Sequence, residues 1–200
     1  HEVILCEKTS RLGGALRCEQ IVPFKKNLDV YLNAQEKAVL NNPAVTVQLD
    51  TEVTPELAKS IGADVVIAAL GARPVKPTIK GIDGPNVLAA EDAYIHPEKT
   101  GGSVAILGGG LVGVELGIFL AQQGKKVTII EMLDALNHGG NHLHAKGLAV
   151  QIDKYGIDVH LGTKALEITD KGVVAAPAGS EKAGGQKLLE ADTVIYAVGQ

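Results

Sequence analysis

Three glycines near the middle of the chain have the spacing of a turn that binds a diphosphate. Gly108, Gly110 and Gly113 form a G-x-G-x-x-G pattern. Gly108 permits backbone angles that a side chain would forbid, and Gly110 leaves room for a diphosphate against the main chain. Gly113 lets a helix pack closely on a strand. The free amides and the dipole at the start of that helix would attract the anion.

The elements that must position these glycines occur in the expected order. Residues 104–107 form a short apolar run typical of a buried parallel strand, and residues 111–123 have a helical pattern. Residues 127–130 form a second apolar strand that ends at Glu131, whose carboxylate could accept hydrogen bonds from an adenosine ribose. Together these features predict a dinucleotide site, whereas the glycines alone would indicate only a turn.

The first residues of the chain have the pattern of the end of a second such unit. Residues 1–7 read as a strand that ends in Glu7, without a glycine turn and helix before it. We therefore expect the chain to start inside a nucleotide-binding domain with Glu7 as its ribose acid. An ordinary surface glutamate at a strand end is the alternative. Gly13 and Gly14 follow in a loop, where paired glycines either approach a ligand or simply make a turn.

The remaining pattern predicts an α/β fold with a Rossmann-like three-layer dinucleotide-binding domain, residues 101–200, and a truncated nucleotide-binding domain, residues 1–100. Residues 73–102, rich in Pro and Gly, are interpreted as a crossover between the domains with one helical turn at 91–94. Residues 179–185 are interpreted as an exposed hairpin tip. Further helices are expected at 25–40, 54–60 and 142–155, and further strands at 45–49, 64–70, 157–161, 165–169, 173–176, 186–189 and 193–198.

Composition narrows the classes of function. A net charge of −4, no Trp and only six Phe and Tyr residues argue against a nucleic-acid partner. No apolar run is long enough to span a membrane, and no signal-peptide pattern is present. Cys6 and Cys18 lie outside any C-x-x-C spacing, which favours a reduced, cytoplasmic protein. The oligomeric state stays open.

One cluster of potential metal ligands has two interpretations. Asp134, His138 and His142 are spaced four residues apart, with His144 near them. On a continuous helix they would share a face and could bind a metal. Two glycines at 139–140 argue against such a helix, so a solvated loop is preferred and no metal is predicted.

These motifs together resemble the two-dinucleotide-binding-domain flavoproteins of the pyridine nucleotide–disulfide oxidoreductase superfold. HEVILCEKTSRLGGAL is similar to the flavin-domain segment of that family, and GGGLVGVE is similar to its inserted NAD(P)H domain. RLGG and GIDGPNV are most similar to the C-terminal FAD/NAD(P)H region of 2,4-dienoyl-CoA reductase and other NADH:flavin oxidoreductases of the old yellow enzyme type. The resemblance covers essentially all 200 residues and implies that residues 1–100 are a truncated FAD-binding domain and residues 101–200 an NAD(P)H-binding domain.

The resemblance implies a set of cofactor-binding residues and no catalytic side chain. Glu115 would face the nicotinamide and the flavin, although a solvent-facing helix position is the alternative because an unpaired buried carboxylate is costly. The residues implied at the FAD are Glu7, Arg11, Gly13, Gly14, Val53 (at the adenine), Ala69 and Gly71. Those implied at NAD(P)H are Gly108, Gly110, Leu111, Val112, Gly113, Glu115 and Glu131; Gly199 is also assigned to cofactor binding.

Three departures from the family pattern limit what the chain is expected to do. The family's own N-terminal glycine loop is absent, and so is the flavin-binding segment that would follow Gly199. Ala15 and Leu16 stand where the disulfide reductases have their first redox cysteine, so dithiol chemistry is not expected. We therefore expect weak or absent FAD binding by this chain alone.

The function implied by the resemblance is hydride transfer from NADH to FAD. NADH is expected over NADPH because Glu131 would repel a 2′-phosphate, although Lys125 and Lys126 precede the strand. In a full-length parent, FMN, a 4Fe–4S cluster and an N-terminal barrel that reduces an activated alkene would be the partners. The alternatives are an NADH oxidase, a ferredoxin-reductase-like flavoprotein, or a non-catalytic module that binds ADP.

Overall fold

Two units make up the chain in the computed structural model, which describes residues 1–180 and 185–200. The first unit is His1–Ala72 and the second unit is Arg73–Gln200. The division falls after residue 72, whereas the sequence suggested residue 100. The predicted hairpin tip at 179–185 lies partly outside the described residues. No helix of the described part of the chain is long and apolar enough to cross a membrane.

The first unit is built on a pair of parallel strands. Strand β1 (Val3–Cys6) pairs in register with β2 (Val45–Gln48). Helix α1 (Lys26–Leu40) connects them. Helix α2 (Pro55–Ile61) follows β2, and the Thr54 hydroxyl accepts a hydrogen bond from the amide of Leu57, as a helix N-cap does. These elements agree with the predicted pattern.

The predicted buried strand at residues 64–70 is wrong. This segment has no regular secondary structure, and the side chains of Val65, Val66, Ile67 and Leu70 are between 65% and 87% exposed. An apolar run becomes a buried strand only when neighbouring strands satisfy its backbone groups and other elements cover its faces. Among the described residues of the first unit, only β1 and β2 form a sheet.

The second unit contains a five-stranded parallel sheet, in the order β3-β10-β4-β5-β6, and an antiparallel sheet of β7, β8 and β9. The strands are β3 (Val87–Ala89), β4 (Ser103–Leu107), β5 (Lys126–Ile130), β6 (Asp158–His160), β7 (Thr163–Thr169), β8 (Gly172–Pro177), β9 (Lys187–Glu190) and β10 (Thr193–Tyr196). The helices are α3 (Ala90–Ile95), α4 (Leu111–Gln122) and α5 (His142–Tyr155).

The parallel sheet is buried on both faces, which explains its continuous apolar strands. On one face lies α4, whose residues from Gly113 to Leu120 are all buried. On the other face the antiparallel sheet packs through one apolar cluster. That cluster contains Ala105, Leu107, Ile130, Val194, Ile168, Val173 and Ala175. The sheet therefore holds the ends of β4, β5 and β10 rigidly beside one another.

The crossover belongs to the second unit and contains more structure than its composition predicted. Strand β3, which the sequence analysis missed, pairs with β10 at the edge of the parallel sheet. A three-residue strand next to Gly84 and Pro85 gives almost no periodic signal, so only its pairing reveals it. Helix α3 was predicted, one residue shorter at each end.

The crossover is anchored to β7 at Gly81. The amide of Ile168 donates to the Lys80 carbonyl at 2.8 Å, and Lys80 Nζ lies 2.7 Å from Glu167 Oε1. Gly81 has a φ of +86°, and a Cβ there would overlap the Ile168 carbonyl. The register of β7 with β8 shifts between Ala165 and Glu167, beside this contact. Only glycine fits at this position, on both backbone angle and space.

We expect Gly81→Ala to destabilise the protein more than Gly124→Ala. Gly124 has a similar φ of +82° but nothing within 4 Å of the position that an alanine Cβ would occupy, so its substitution adds only left-handed strain of about 1–2 kcal/mol. Gly81→Ala adds the overlap with Ile168 to the same strain. Urea unfolding of both variants measures the difference, and equal losses would contradict the anchoring of the crossover at Gly81.

Candidate functional site

A cleft of about 780 Å³ lies at the carboxyl edge of the parallel sheet, entirely within the second unit. The ends of β4, β5 and β10 form its floor, and the start of α4 forms one side. A wall segment of the crossover, residues 74–79, contributes Pro74, Pro77, Thr78 and Ile79 to another side. Ligands of parallel α/β sheets bind at this edge, where connections leave the sheet in opposite directions.

The glycine turn is closed on its protein side and open toward the cleft. Gly108 has a φ of +111°, and a Cβ there would overlap the carbonyl of Ala197. A Cβ on Gly113 would overlap the carbonyl of Gly108, so α4 and β4 are packed backbone to backbone. By contrast, nothing lies within 4 Å of a Cβ placed on Gly110, which lines the cleft. The space at Gly110 is therefore available to a ligand.

Helix α4 presents uncapped amides to this space. Gly110 is its N-cap residue and provides no side-chain cap, and no acidic residue lies in the first turn. Leu111 and Val112, which begin the helix, both line the cleft. The first amides of a helix have no partner within the helix, and the helix dipole adds partial positive charge there. The open space, the amides and the dipole together suit a diphosphate.

Glu131 is fixed at the end of β5 beside the glycine turn. Its Oε2 accepts a hydrogen bond from the Gly109 amide at 2.6 Å, and its Oε1 accepts one from the Leu133 amide at 2.8 Å. Each carboxylate oxygen can accept more than one hydrogen bond, so capacity for two ribose hydroxyls remains. Glu131 also lines the cleft. The two backbone bonds set the orientation of the carboxylate before any ligand binds.

Glu115 lies away from the residues that form the cleft in the described part of the chain. Its side chain is buried, with Oε1 3.5 Å from Nε2 of His144 on α5. The solvent-facing alternative is therefore wrong. The role implied by the resemblance, beside the nicotinamide, stays a prediction.

Gly199 lines the cleft and holds its wall segment. It has a φ of +116°, and its carbonyl accepts a hydrogen bond from the amide of Val75 at 2.9 Å. Tyr196, at the end of β10, also lines the cleft and was missed by the sequence analysis. The repeated strand-plus-glycine ending at 191–200 was the available signal, but it pointed to Gly199 rather than to the tyrosine.

The first unit places several of the residues implied at a flavin nucleotide close to one another in its loops. Glu7 directly follows β1, and its Oε1 accepts hydrogen bonds from the amide and the hydroxyl of Thr9, both at 2.8 Å. Gly13 and Gly14 have φ values of +114° and +51°, and Gly14 has open space around it. Val53 is 41% exposed in the loop before α2. The exposure and backbone angles of these residues are compatible with contacts to a nucleotide, and their assignment to FAD stays a prediction.

Two further first-unit residues lie in a setting that the sequence did not suggest. Ala69 and Gly71 belong to the exposed irregular segment rather than to the end of a buried strand. Their assignment to the flavin stays a prediction.

An ion-pair network that the sequence analysis missed holds the loop after β1. Arg11 and Arg17 both contact Glu36 Oε2 on α1, at 3.2 and 3.1 Å. Asn33 accepts from both arginines, and Arg17 Nε donates to the Leu12 carbonyl at 2.8 Å. Hydrogen bonding from Arg11, with smaller contributions from the Leu12 amide and Arg17, lowers the pKa of Glu36 below its usual 4.5. Arg11 is thus engaged with α1.

The residues considered as metal ligands do not converge. Among the described residues, no group of three or more His, Cys, Asp or Glu side chains could hold a metal ion. Instead, the Asn141 side chain caps α5 by accepting hydrogen bonds from the amides of Leu143 and His144. The helix therefore begins after the two glycines, and Asp134 and His138 lie outside it.

Comparison with known proteins shows similarity along the whole chain. The family described as pyridine nucleotide-disulphide oxidoreductase matches residues 2–200. Cinnamate reductase of Clostridium sporogenes is 36% identical over 202 aligned residues, covering 100% of this chain and 29% of the relative. NADH oxidase of Thermoanaerobacter brockii is 34% identical over 208 residues, covering 100% of this chain and 31% of the relative.

A solved structure of 2-naphthoyl-CoA reductase in complex with 2-naphthoyl-CoA has a similar fold. Its TM-score is 0.89 at 27% identity, with 100% of this chain and 29% of that chain covered. The chain thus spans about 30% of the length of these relatives.

We expect the fold stabilisation from Glu36 to depend on pH. A carboxyl whose pKa is lower in the folded state stabilises the fold above its unfolded pKa, and this contribution is lost as pH falls through the folded pKa. Glu36→Gln should therefore lower the thermal midpoint at pH 7 and reduce its decline below about pH 4.5. The exposed Glu2→Gln serves as the control in the same pH series. An unchanged midpoint and pH profile in Glu36→Gln would contradict the network.

We expect Gly110→Ala to abolish dinucleotide binding without unfolding the protein. Gly110 has φ −69° and ψ 179°, which alanine adopts freely, and a methyl group there meets no protein atom within 4 Å. The methyl would instead occupy the space expected for the diphosphate. Calorimetric titration with NADH, alongside thermal unfolding, measures both effects. Unchanged NADH affinity in a folded Gly110→Ala protein would show that the ligand does not approach this turn.

Proposed function

Because the chain belongs to the pyridine nucleotide-disulphide oxidoreductase family, we propose that its second unit binds NADH for hydride transfer to FAD. The family implies FAD and NAD(P)H as cofactors, and the chain is an oxidoreductase domain of this type. When bound, the two cofactors would supply the redox chemistry, which is transfer of a hydride from the dihydronicotinamide to the flavin. The residues of this chain would bind the two cofactors, orient their rings and exclude water, and no side chain is proposed to act as an acid or a base.

The observation that carries the proposal is the combination at the cleft of Gly110 and Glu131. Open space and uncapped helix amides lie at Gly110, and a carboxylate fixed by two backbone amides lies at the end of the neighbouring strand. This pair matches the two ends of an adenosine diphosphate, with the anion at the helix and the ribose at the acid. Gly110 and Glu131 therefore fit the adenosine diphosphate part of the NAD(P)H that the family implies.

The charge at Glu131 supports NADH over NADPH. Its carboxylate would repel a 2′-phosphate, because that group would share the ribose edge with it. Lys125 is close in sequence and could offset this repulsion, but its Nζ donates to the carbonyls of Thr100 and Gly101. Lys126 begins β5, five residues before Glu131, so the two Cα atoms are roughly 16 Å apart along the strand. Neither lysine is placed to neutralise a 2′-phosphate.

The flavin half of the proposal has support from the first unit. Glu7 is held by Thr9 at the end of β1, in the same relation to its strand as Glu131 to β5. Gly13 and Gly14 adopt left-handed backbone angles in the loop that follows. We propose that this loop and acid contact the adenosine end of FAD.

In the whole protein, we propose that electrons pass onward from the flavin to an FMN and iron–sulfur module that reduces an activated alkene. Two relatives are named as reductases of unsaturated acids or acyl-CoA compounds, which supports this reading. A relative named NADH oxidase, at 34% identity, supports the second candidate, in which oxygen accepts the electrons. Both candidates use the same NADH site, so the tests of that site do not depend on the acceptor.

We expect the chain to bind NADH more tightly than NADPH, with Glu131 responsible for the difference. Glu131→Gln should weaken NADH binding roughly tenfold, because hydrogen bonds to a charged acceptor contribute about 1.5–3 kcal/mol. The same substitution should also narrow the difference in affinity between NADH and NADPH. The exposed Glu190→Gln is the charge-matched control. Calorimetric titration measures the affinities of all three proteins for both nucleotides, and equal or tighter NADPH binding by the unaltered chain would contradict the assignment.

A further inference from the structure

Tyr196 is the last residue of β10 and lines the cleft. We propose that it is a specificity residue whose ring contacts the nicotinamide and whose hydroxyl is available to the carboxamide or the adjoining ribose. This inference rests on the proposed NADH site and goes beyond it by assigning the half of the ligand that the glycine turn and Glu131 leave unassigned.

The strand order determines the direction in which the ligand must run. Glu131 at the end of β5 marks the adenosine ribose, and the glycine turn after β4 marks the diphosphate. In the sheet, β10 lies on the opposite side of β4 from β5. A dinucleotide that crosses from β5 to β4 therefore continues over the end of β10. Tyr196 is the last residue of that strand.

The register of the sheet places Tyr196 next to the diphosphate turn. Tyr196 is paired with Leu107, which directly precedes Gly108, and Leu107 is paired with Ile130, which directly precedes Glu131. All of these residues line the cleft. Paired residues of neighbouring parallel strands project on the same face. Tyr196 thus projects on the same face of the sheet as Leu107 and Ile130, the residues that directly precede the glycine turn and Glu131.

The side chain of Tyr196 offers both a ring and a polar group at the cleft. Tyr196 is half-buried and lines the cleft, and Lys76 of the wall segment lies within electrostatic range of it. A partly buried phenol usually finds a hydrogen-bond partner. Tyr94 is the contrast, since it is 1% exposed, is stacked on Phe119 and has its hydroxyl 3.5 Å from the Val112 carbonyl. Tyr94 serves packing, whereas Tyr196 lines the cleft and is only half-buried.

The chemistry of the nicotinamide matches what Tyr196 offers. The nicotinamide is a flat ring, and stacking of a ring on an aromatic side chain is worth about 1–3 kcal/mol. Its carboxamide has both donor and acceptor atoms, as the tyrosine hydroxyl does. ADP lacks this half of the ligand altogether. Comparison of NADH with ADP therefore separates a contact at Tyr196 from the contacts at Gly110 and Glu131.

The experiment is calorimetric titration of the full chain with NADH and, separately, with ADP. We expect Tyr196→Ala to weaken NADH binding tenfold or more and to leave ADP binding unchanged. Tyr196→Phe should retain most of the ring contribution and lose only that of the hydroxyl. Tyr31→Ala, at an exposed tyrosine of α1, is the control and should change neither affinity.

The outcomes distinguish this inference from the proposed function. If the unaltered chain binds both ligands and Tyr196→Ala leaves NADH affinity unchanged, the inference is overturned and the NADH site stands. If Tyr196→Ala weakens ADP as much as NADH, Tyr196 acts only by supporting the cleft, and the inference is likewise overturned. If the unaltered chain binds neither ligand, the proposed function fails and the inference fails with it.

Discussion

The close approach of Gly113 to the carbonyl of Gly108 is the constraint on which the second unit depends. It brings the first turn of α4 directly against the end of β4, at a distance that a side chain on Gly113 would not permit. The amides of α4 then open toward the cleft rather than toward the protein interior. The buried faces of the parallel sheet keep β5 and β10 aligned with this turn, so that three strand ends contribute to one cleft.

Hydrogen bonds to backbone groups hold Glu131 and the wall segment in place at the cleft. Amides of Gly109 and Leu133 orient Glu131, and the Val75 amide ties the wall segment to Gly199. Such bonds are formed before a ligand arrives, so little conformational freedom remains to be lost on binding. In the first unit, by contrast, ion pairs between side chains hold the loop that follows β1, with two arginines contacting Glu36.

The sequence predicted the central strand, turn, helix and acid well, because glycine spacing and apolar periodicity there report purely local requirements. It failed where structure depends on distant partners. Residues 64–70 have the composition of a buried strand, yet they lie exposed because nothing in the described first unit pairs with them. Strand β3 was missed because three residues are too few to show the hydrophobic periodicity of a strand. Tyr196 was missed because its position over the cleft follows from strand order, which local patterns do not encode.

The exposed segment 64–70 also has a consequence for how the protein behaves in solution. Four large aliphatic side chains in six consecutive positions, with unpaired backbone groups and no charge between them, form a template for intermolecular β-pairing. Self-association through this segment would grow with concentration, independently of any nucleotide. A single lysine introduced between Val65 and Leu70 would oppose such aggregation by adding a charge to the segment, and it would not alter any residue of the second unit.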